Sequence, residues 1–276
     1  MSYATLMVHL DPAGGNKARL EVAAALAERH GSAVIGVAAC DPQPAPYFYG
    51  AFGDQVFEKD RARTEAELDG LGQKFRTAMQ GRASSVEWRS ALAPPARYIT
   101  REARAADLLV VGAPAGGILA DPMVQLDIPD LVMQAGRPVL VVPPDVPPLR
   151  FHGAVVAWKD TREARRAASD ALPLLRHCAS VTVAAIEEHG EENLAQSRQG
   201  VDDVAAWLRR HGIAAQGLAM LNFGDPAGQL ETIAAEHGAD VIVAGAYGHS
   251  RFSEWVFGGV TRHLLTRVPR CLLLSH

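Results

Sequence analysis

The strongest constraint on the fold is an internal repeat of short apolar segments that end at glycine. Residues 107–112 read Asp-Leu-Leu-Val-Val-Gly, residues 240–245 read Asp-Val-Ile-Val-Ala-Gly, and an arginine follows each segment at the same offset (Arg137 and Arg270). In both halves such segments alternate with stretches of helical length. Apolar strands that alternate with helices are typical of parallel sheets covered on both faces. The sequence therefore predicts an α/β protein with two tandem doubly wound, Rossmann-like units related by an internal pseudo-twofold.

A proline-rich stretch separates the two halves. The four prolines that break the pattern are Pro143, Pro144, Pro147 and Pro148. Such a stretch is typical of a stiff linker, so we expect a first domain at residues 1–146 and a second at residues 150–276. In the first domain we predict strands at 5–10, 33–39, 85–89, 108–111 and 139–142, and a long helix at 56–79. In the second we predict strands at 154–158, 181–186, 214–221, 241–244 and 271–274, and a helix that Thr161 can cap and that runs through Leu175.

Composition excludes several classes of protein. The formal net charge of the 276 residues is -4, which argues against a general nucleic-acid binder. No apolar run approaches the roughly 18–20 residues that span a bilayer, and the first residues lack the features of a signal peptide, so we expect a cytoplasmic protein without membrane contact. Cys40, Cys178 and Cys271 are far apart and lie in or beside apolar stretches, which predicts buried free thiols.

A glycine pattern follows the last repeat of the apolar segment. Gly245 and Gly248 come at the strand exit, and Gly258 and Gly259 follow before a predicted helix that starts at Val260. Glycines at a strand exit let a bound group approach the backbone closely, and a helix that begins at glycines offers free N–H groups to a phosphate. In doubly wound sheets ligands bind beyond the carboxyl ends of the strands. The pattern therefore predicts a phosphate site there.

The spacing Gly245-x-x-Gly248, nine residues and Gly258, set in this order of strands and helices, resembles the universal stress protein family. The resemblance extends over both halves, so the chain looks like a tandem member. In ATP-binding members an aspartate after the first strand holds the ribose, the backbone at the end of the second strand meets adenine, and the glycines cradle the phosphates. The resemblance thus implies an adenine nucleotide, ATP with Mg²⁺, as the ligand.

Carried over to the second half, the resemblance implies a nucleotide site. Its residues would be Trp158, Lys159, Ile186, Gly245, Tyr247, Gly248, His249, Gly258, Gly259, Val260 and Thr261. Two of them depart from the family pattern. Lys159 stands at the position of the ribose-binding aspartate and cannot accept hydrogen bonds from ribose hydroxyls. Gly259 stands where a serine or threonine is usual, so a phosphate would lose a hydroxyl partner.

The first half keeps the opposite set of residues. Asp11 is present after the first strand, Ala38 occupies the position near adenine, and Gly112 ends the fourth strand. The later glycines are replaced, by Ala115 and Gln125 among others. We therefore predict a degenerate first site that does not hold ATP in the family manner.

No pattern in the sequence indicates catalysis or a metal site. Spacings typical of zinc sites, nucleophile elbows and P-loops are missing from the sequence. We expect Asp225 to cap a helix, His9 to pack in the core, and Arg162, Arg165 and Arg166 to face solvent.

Three functions remain open at this point. The first is a non-catalytic nucleotide-binding stress protein, with weak ATPase activity as known in some family members. The second is an interaction scaffold in stress signalling that has lost ATP, with an unknown protein partner. The third, an ATP-pyrophosphatase-type ligase, ranks last because residues 11–15, Asp-Pro-Ala-Gly-Gly, only faintly resemble its loop. Family dimers associate through their last strands, here 139–142 and 271–274, and a homodimer of the whole chain is a further expectation.

Overall fold

A computed structural model describes residues 2–41, 51–113, 126–188, 190–246, 260, 263–265 and 269–276, with the backbone alone for 51–56. Contacts divide the chain into two compact units, Tyr3–Arg137 and Pro138–His276. The strand at 139–142 thus packs with the second unit, although it precedes the proline-rich stretch. None of the helices in these ranges is long and apolar enough to cross a bilayer.

The first unit is a parallel sheet flanked by helices. Its strands run in the order β3-β2-β1-β4. Along the chain the elements are β1 (Thr5–His9), α1 (Lys17–His30), β2 (Ala33–Ala39), α2 (Ala51–Met79), β3 (Ser85–Ala91), α3 (Pro95–Glu102) with a 3-10 turn (Ala103–Ala105), β4 (Leu108–Gly112) and α4 (Ile128–Gln134). β1 and β4 are almost wholly buried, as their apolar sequences predict. α1 ends at Gly31, whose left-handed backbone (φ 67°) closes the last turn.

The second unit repeats this arrangement with two added strands, at one edge of its sheet. Its elements are β5 (Val139–Val142), β6 (Gly153–Ala157), α5 (Arg162–Asp170), α6 (Leu172–Leu175), β7 (Ser180–Glu187), α7 (Glu191–Arg210), β8 (Ala215–Leu221), α8 (Pro226–Glu236), β9 (Val241–Gly245) and β10 (Cys271–Ser275). The strand order is β5-β10-β9-β6-β7-β8. β5 pairs antiparallel with β10, with Leu140 opposite Leu273, whereas the other neighbours are parallel. The doubly wound α/β fold is therefore confirmed.

Two helix boundaries differ from the prediction. α2 begins at Ala51, five residues earlier than predicted, and so includes Gly53 despite its weak helix propensity. The single helix predicted through Leu175 is divided at Ala171 into α5 and α6. Pro173 lies in the first turn of α6 and has no N–H to donate to the preceding turn, which interrupts the helical ladder.

Several predictions for single side chains are confirmed. Asp225 caps α8, accepting a hydrogen bond from the Gly228 N–H at 3.0 Å. His9 is buried, and burial lowers its pKa to about 3, assisted by the charge of Arg19. The side chains of the predicted solvent-facing arginines are more than half exposed: Arg162, Arg165 and Arg166.

The cysteines follow the prediction except for one. Cys178 and Cys271 are buried free thiols, and burial together with the charge of Asp240 raises the pKa of each to about 12. Cys40 is only half-buried, because it lies beyond the end of β2 rather than within the sheet. Burial still raises the pKa of Cys40, with Glu67, Asp41 and Asp11 adding to the shift.

Candidate functional site

A cavity of about 620 Å³ lies at the carboxyl ends of β6 and β7 in the second unit. Three residues from the predicted nucleotide site line it together: Trp158 and Lys159, which follow β6, and Ile186, near the end of β7. The Trp158 N–H donates to the Ala184 carbonyl at 2.7 Å, which holds the backbone after β6 against β7. The cavity thus occupies the edge of the sheet where ligands of doubly wound folds bind.

Helix α7 forms the opposite wall of this cavity. Asn193, Ser197 and Gly200 line it, and their spacing places them on one face of the helix. A methyl group added at Gly200 would lie 3.6 Å from Nε1 of Trp158, so the indole ring lies close to the helix at this point. The Ser197 hydroxyl donates to the Glu187 carboxylate at the end of β7. Sequence analysis did not single out this face of α7.

The charge of the cavity lining is mainly negative. Asp160, Glu187, Glu188 and Asp203 line it, and Lys159 is the one positively charged residue among the described lining residues. The Lys159 ammonium pairs with the Glu188 carboxylate, with 3.2 Å from Nζ to Oε2. This pair is exposed and contributes little to stability. Within the site, the Glu188 carboxylate compensates the positive charge of Lys159.

Gly245 ends β9 outside the cavity lining and packs against the start of α5. A methyl group added there would lie 2.5 Å from the Ala164 nitrogen and 2.5 Å from the Glu163 carbonyl carbon. The close approach of α5 therefore requires a glycine, whatever the ligand. Val260 is half-buried in a helical segment. The other predicted residues of this loop lie outside the described residues: Tyr247, Gly248, His249, Gly258, Gly259 and Thr261.

The first turn of α5 contains a buried carboxylate. Glu163 is 3% exposed and bonds to Arg162. Burial alone would raise the pKa of Glu163, but hydrogen bonds from Arg162, from its own backbone N–H and from Thr161 outweigh burial and leave the pKa below its usual value. Thr161 also accepts from the Ala164 N–H at 3.3 Å and lines the cavity. The carboxylate is therefore ionised at neutral pH beside Gly245.

In the first unit the three predicted residues lie in different environments. Asp11 belongs to a turn in which its side chain accepts from the Ala13 N–H at 2.9 Å. Ala38 is fully buried within β2. Gly112, at the end of β4, faces the Arg19 guanidinium, whose Cζ would lie 2.6 Å from an added methyl group. A side chain from α1 thus covers the end of β4.

Arg19 is the residue of the first unit that sequence reasoning missed. It is 6% exposed and donates from Nη1 to the His9 carbonyl at 2.9 Å. Burial lowers the pKa of Arg19, whereas the charge of Asp11 opposes this shift. Its spacing from Val22 and Leu26 in an Ala-rich helix places it on the buried face, which is the signal that would have identified it.

No metal centre is formed by the described side chains. Within the described ranges no group of three or more histidines, cysteines or carboxylates is close enough to hold a metal ion.

Parallel sheets flanked by helices, with a cavity at the carboxyl ends of the strands, define the class of doubly wound α/β proteins. Residues 154–275 match the family model described as Universal stress protein family. This match covers nearly all of the second unit and confirms there the resemblance drawn from the sequence. No curated protein matches the sequence.

Solved structures extend the likeness in fold to the whole chain. A universal stress protein from Archaeoglobus fulgidus is 14% identical, with 98% of this chain and 95% of that chain covered and a TM-score of 0.70. A protein of Pseudomonas aeruginosa described as functionally unknown is 14% identical, with 99% and 92% covered and a TM-score of 0.56. At this identity the likeness is one of fold.

Proposed function

We propose that the second unit binds an adenine nucleotide, ATP or a related compound, and that the chain acts in the cytoplasm as a non-catalytic switch in a stress response. The observation that carries the proposal is the cavity that brings Trp158, Lys159 and Ile186 together at the carboxyl ends of β6 and β7. The family model that matches residues 154–275 supports it independently.

The lining offers the groups that a nucleoside needs. Trp158 and Ile186 provide apolar surface for a base, and Asn193 and Ser197 provide polar side chains for ring nitrogens or ribose hydroxyls. Lys159 replaces the usual aspartate, so ribose would bond to other lining carboxylates such as Glu188. The retained glycines of the sequence, Gly248 and Gly258, would meet a phosphate.

The first experiment is analysis of nucleotide retained by the gently purified protein, followed by titration with ATP, ADP and AMP. The Gly200→Leu variant fills the cavity beside Trp158 while leucine favours the helix. Gly70→Leu is the matched control, because Gly70 is also helical and a methyl group added there meets nothing within 4 Å. We expect Gly200→Leu to weaken nucleotide binding at least about tenfold and Gly70→Leu to leave it unchanged.

Two outcomes would count against the proposal. If folded wild-type protein binds no adenine nucleotide at millimolar concentration, the second unit is not a nucleotide switch. If Gly200→Leu binds as tightly as wild type, the ligand uses a different site. A Gly258→Val variant tests the glycine loop separately, and loss of phosphate-dependent affinity alone is expected there.

An interaction scaffold is the second candidate, and one exposed aromatic residue favours it. Phe223, between β8 and α8, is 80% exposed, while its N–H donates to the Gln229 side chain at 2.8 Å. A fixed backbone that presents a phenyl ring to solvent is typical of a contact with another protein. If the chain is a scaffold, Phe223→Ser should fail to rescue the stress phenotype of a deletion strain, whereas Gly200→Leu should rescue it. If the chain is a nucleotide switch, the reverse is expected.

A further inference from the structure

We infer that the second unit selects adenine ligands of low charge, a nucleoside or a nucleotide with one phosphate, over ATP. The inference rests on the proposed function and names the ligand class of the same site. Its basis is the arrangement of charge around the cavity and at the start of α5, which opposes the four negative charges of a triphosphate.

The cavity itself has a mainly negative lining. Four carboxylates line it, from Asp160, Glu187, Glu188 and Asp203, against the ammonium of Lys159. Asp160 pairs with Arg165 and Glu188 pairs with Lys159, which leaves the described lining without an unmatched positive charge. Such a lining accepts the hydroxyls and the amino group of adenosine, but each added phosphate brings further like-charge repulsion.

The start of α5 connects the cavity to Gly245. Thr161 lines the cavity, and Glu163 abuts Gly245. Free N–H groups at a helix N-terminus favour a bound phosphate. Here the Thr161 hydroxyl oxygen accepts from the Ala164 N–H, and the Glu163 carboxylate accepts from its own N–H. A phosphate held near Gly245 would therefore meet a buried carboxylate in the first turn of α5.

Lys159 supplies the positive charge of the described lining. At the position of the family's ribose-binding aspartate, Lys159 is the lining cation that a phosphate would approach. Its Nζ is already 3.2 Å from Glu188 Oε2. A single phosphate can share this lysine with Glu188, whereas a polyphosphate would have to displace the carboxylate and pass the first turn of α5.

The test is calorimetric titration of the full chain with adenosine, AMP and ATP, each with and without Mg²⁺ at constant ionic strength. Asp203→Asn removes one negative charge of the lining and leaves the ion pair of Lys159 with Glu188 intact. Glu188→Gln removes a negative charge and also breaks this ion pair. The matched control is the Glu65→Gln, Glu67→Gln pair on α2 of the first unit, which changes exposed carboxylates away from the cavity.

In wild type we expect AMP to bind at least about tenfold more tightly than ATP. Asp203→Asn should raise ATP affinity severalfold and leave adenosine unchanged. Glu188→Gln should raise the ratio of ATP affinity to adenosine affinity more strongly, and the α2 control should change neither affinity. ATP binding as tight as AMP in wild type, with or without Mg²⁺, would overturn the inference and leave the proposed function intact. Equal effects of Asp203→Asn on all three ligands would also overturn it. Absence of binding by any adenine compound would remove both.

Discussion

Charged residues buried at the carboxyl edge distinguish the two units. In the first unit Arg19 covers Gly112, and in the second Glu163 abuts Gly245. Arg19 lies in α1, which follows β1, and Glu163 lies in α5, which follows β6. The buried arginine carries a positive charge beside Asp11, whereas the buried glutamate places a negative charge beside Gly245.

The buried His9 should make the free energy of unfolding depend on pH. Burial and Arg19 lower the pKa of His9 from 6.5 to about 3 in the folded chain. Between these values the unfolded chain binds a proton that the folded chain does not, so this stabilising contribution is complete above pH 6.5 and is lost as the pH falls towards 3. We expect the free energy of unfolding of wild type to fall more steeply from pH 6 to pH 4 than that of His9→Leu, by up to about 1.4 kcal/mol per pH unit.

Urea denaturation at several pH values measures this difference. The control is His152→Leu, which replaces an exposed histidine of the second unit. Parallel curves for wild type and His9→Leu would show that His9 does not remain neutral in the folded chain.

At the scale of elements, Gly245 tests the contact between β9 and α5. An added methyl group meets backbone atoms of Glu163 and Ala164 at 2.5 Å, and backbone cannot rotate away as a side chain can. We expect Gly245→Ala to lower the free energy of unfolding of the second unit by about 1–3 kcal/mol. Chemical denaturation followed by fluorescence measures the loss.

Gly200→Ala is the matched control in the same unit. Its added methyl group would lie 3.6 Å from Trp158, an ordinary contact, and alanine favours a helix by about 1 kcal/mol over glycine. A stable Gly245→Ala that loses only nucleotide affinity would show that the glycine serves the ligand and not the packing.

The elements could be predicted more fully than the contacts between them. Apolar runs such as residues 241–244 identify buried strands, and Asp225 before Pro226 identifies a helix start, because both signals are local. The pairing of Lys159 with Glu188 depends on how β6 and β7 end side by side. The cavity wall formed by α7 depends on the packing of this helix near Trp158, which precedes it by more than 30 residues in the sequence. No local pattern encodes these contacts.

At the scale of the whole molecule, the proline-rich stretch and the boundary of the second unit do not coincide. β5 precedes the prolines but packs in the second unit, where Leu140 lies opposite Leu273. Without β5 the edge of β10 would present unpaired N–H and C=O groups beside apolar side chains, an arrangement that promotes aggregation. We therefore propose that the folding unit begins near Pro138 rather than at residue 150.

Three fragments of the second half test this boundary. Fragment 138–276 keeps β5, fragment 144–276 lacks the strand but keeps buried Leu149, and fragment 150–276 lacks both. Because β5 buries its four side chains, we expect fragment 138–276 to exceed fragment 144–276 in free energy of unfolding by at least about 2 kcal/mol. Fragments 144–276 and 150–276 should also aggregate more readily in light scattering. Equal stability of fragments 138–276 and 144–276 would instead place the boundary at the prolines and reduce β5 to a dispensable edge.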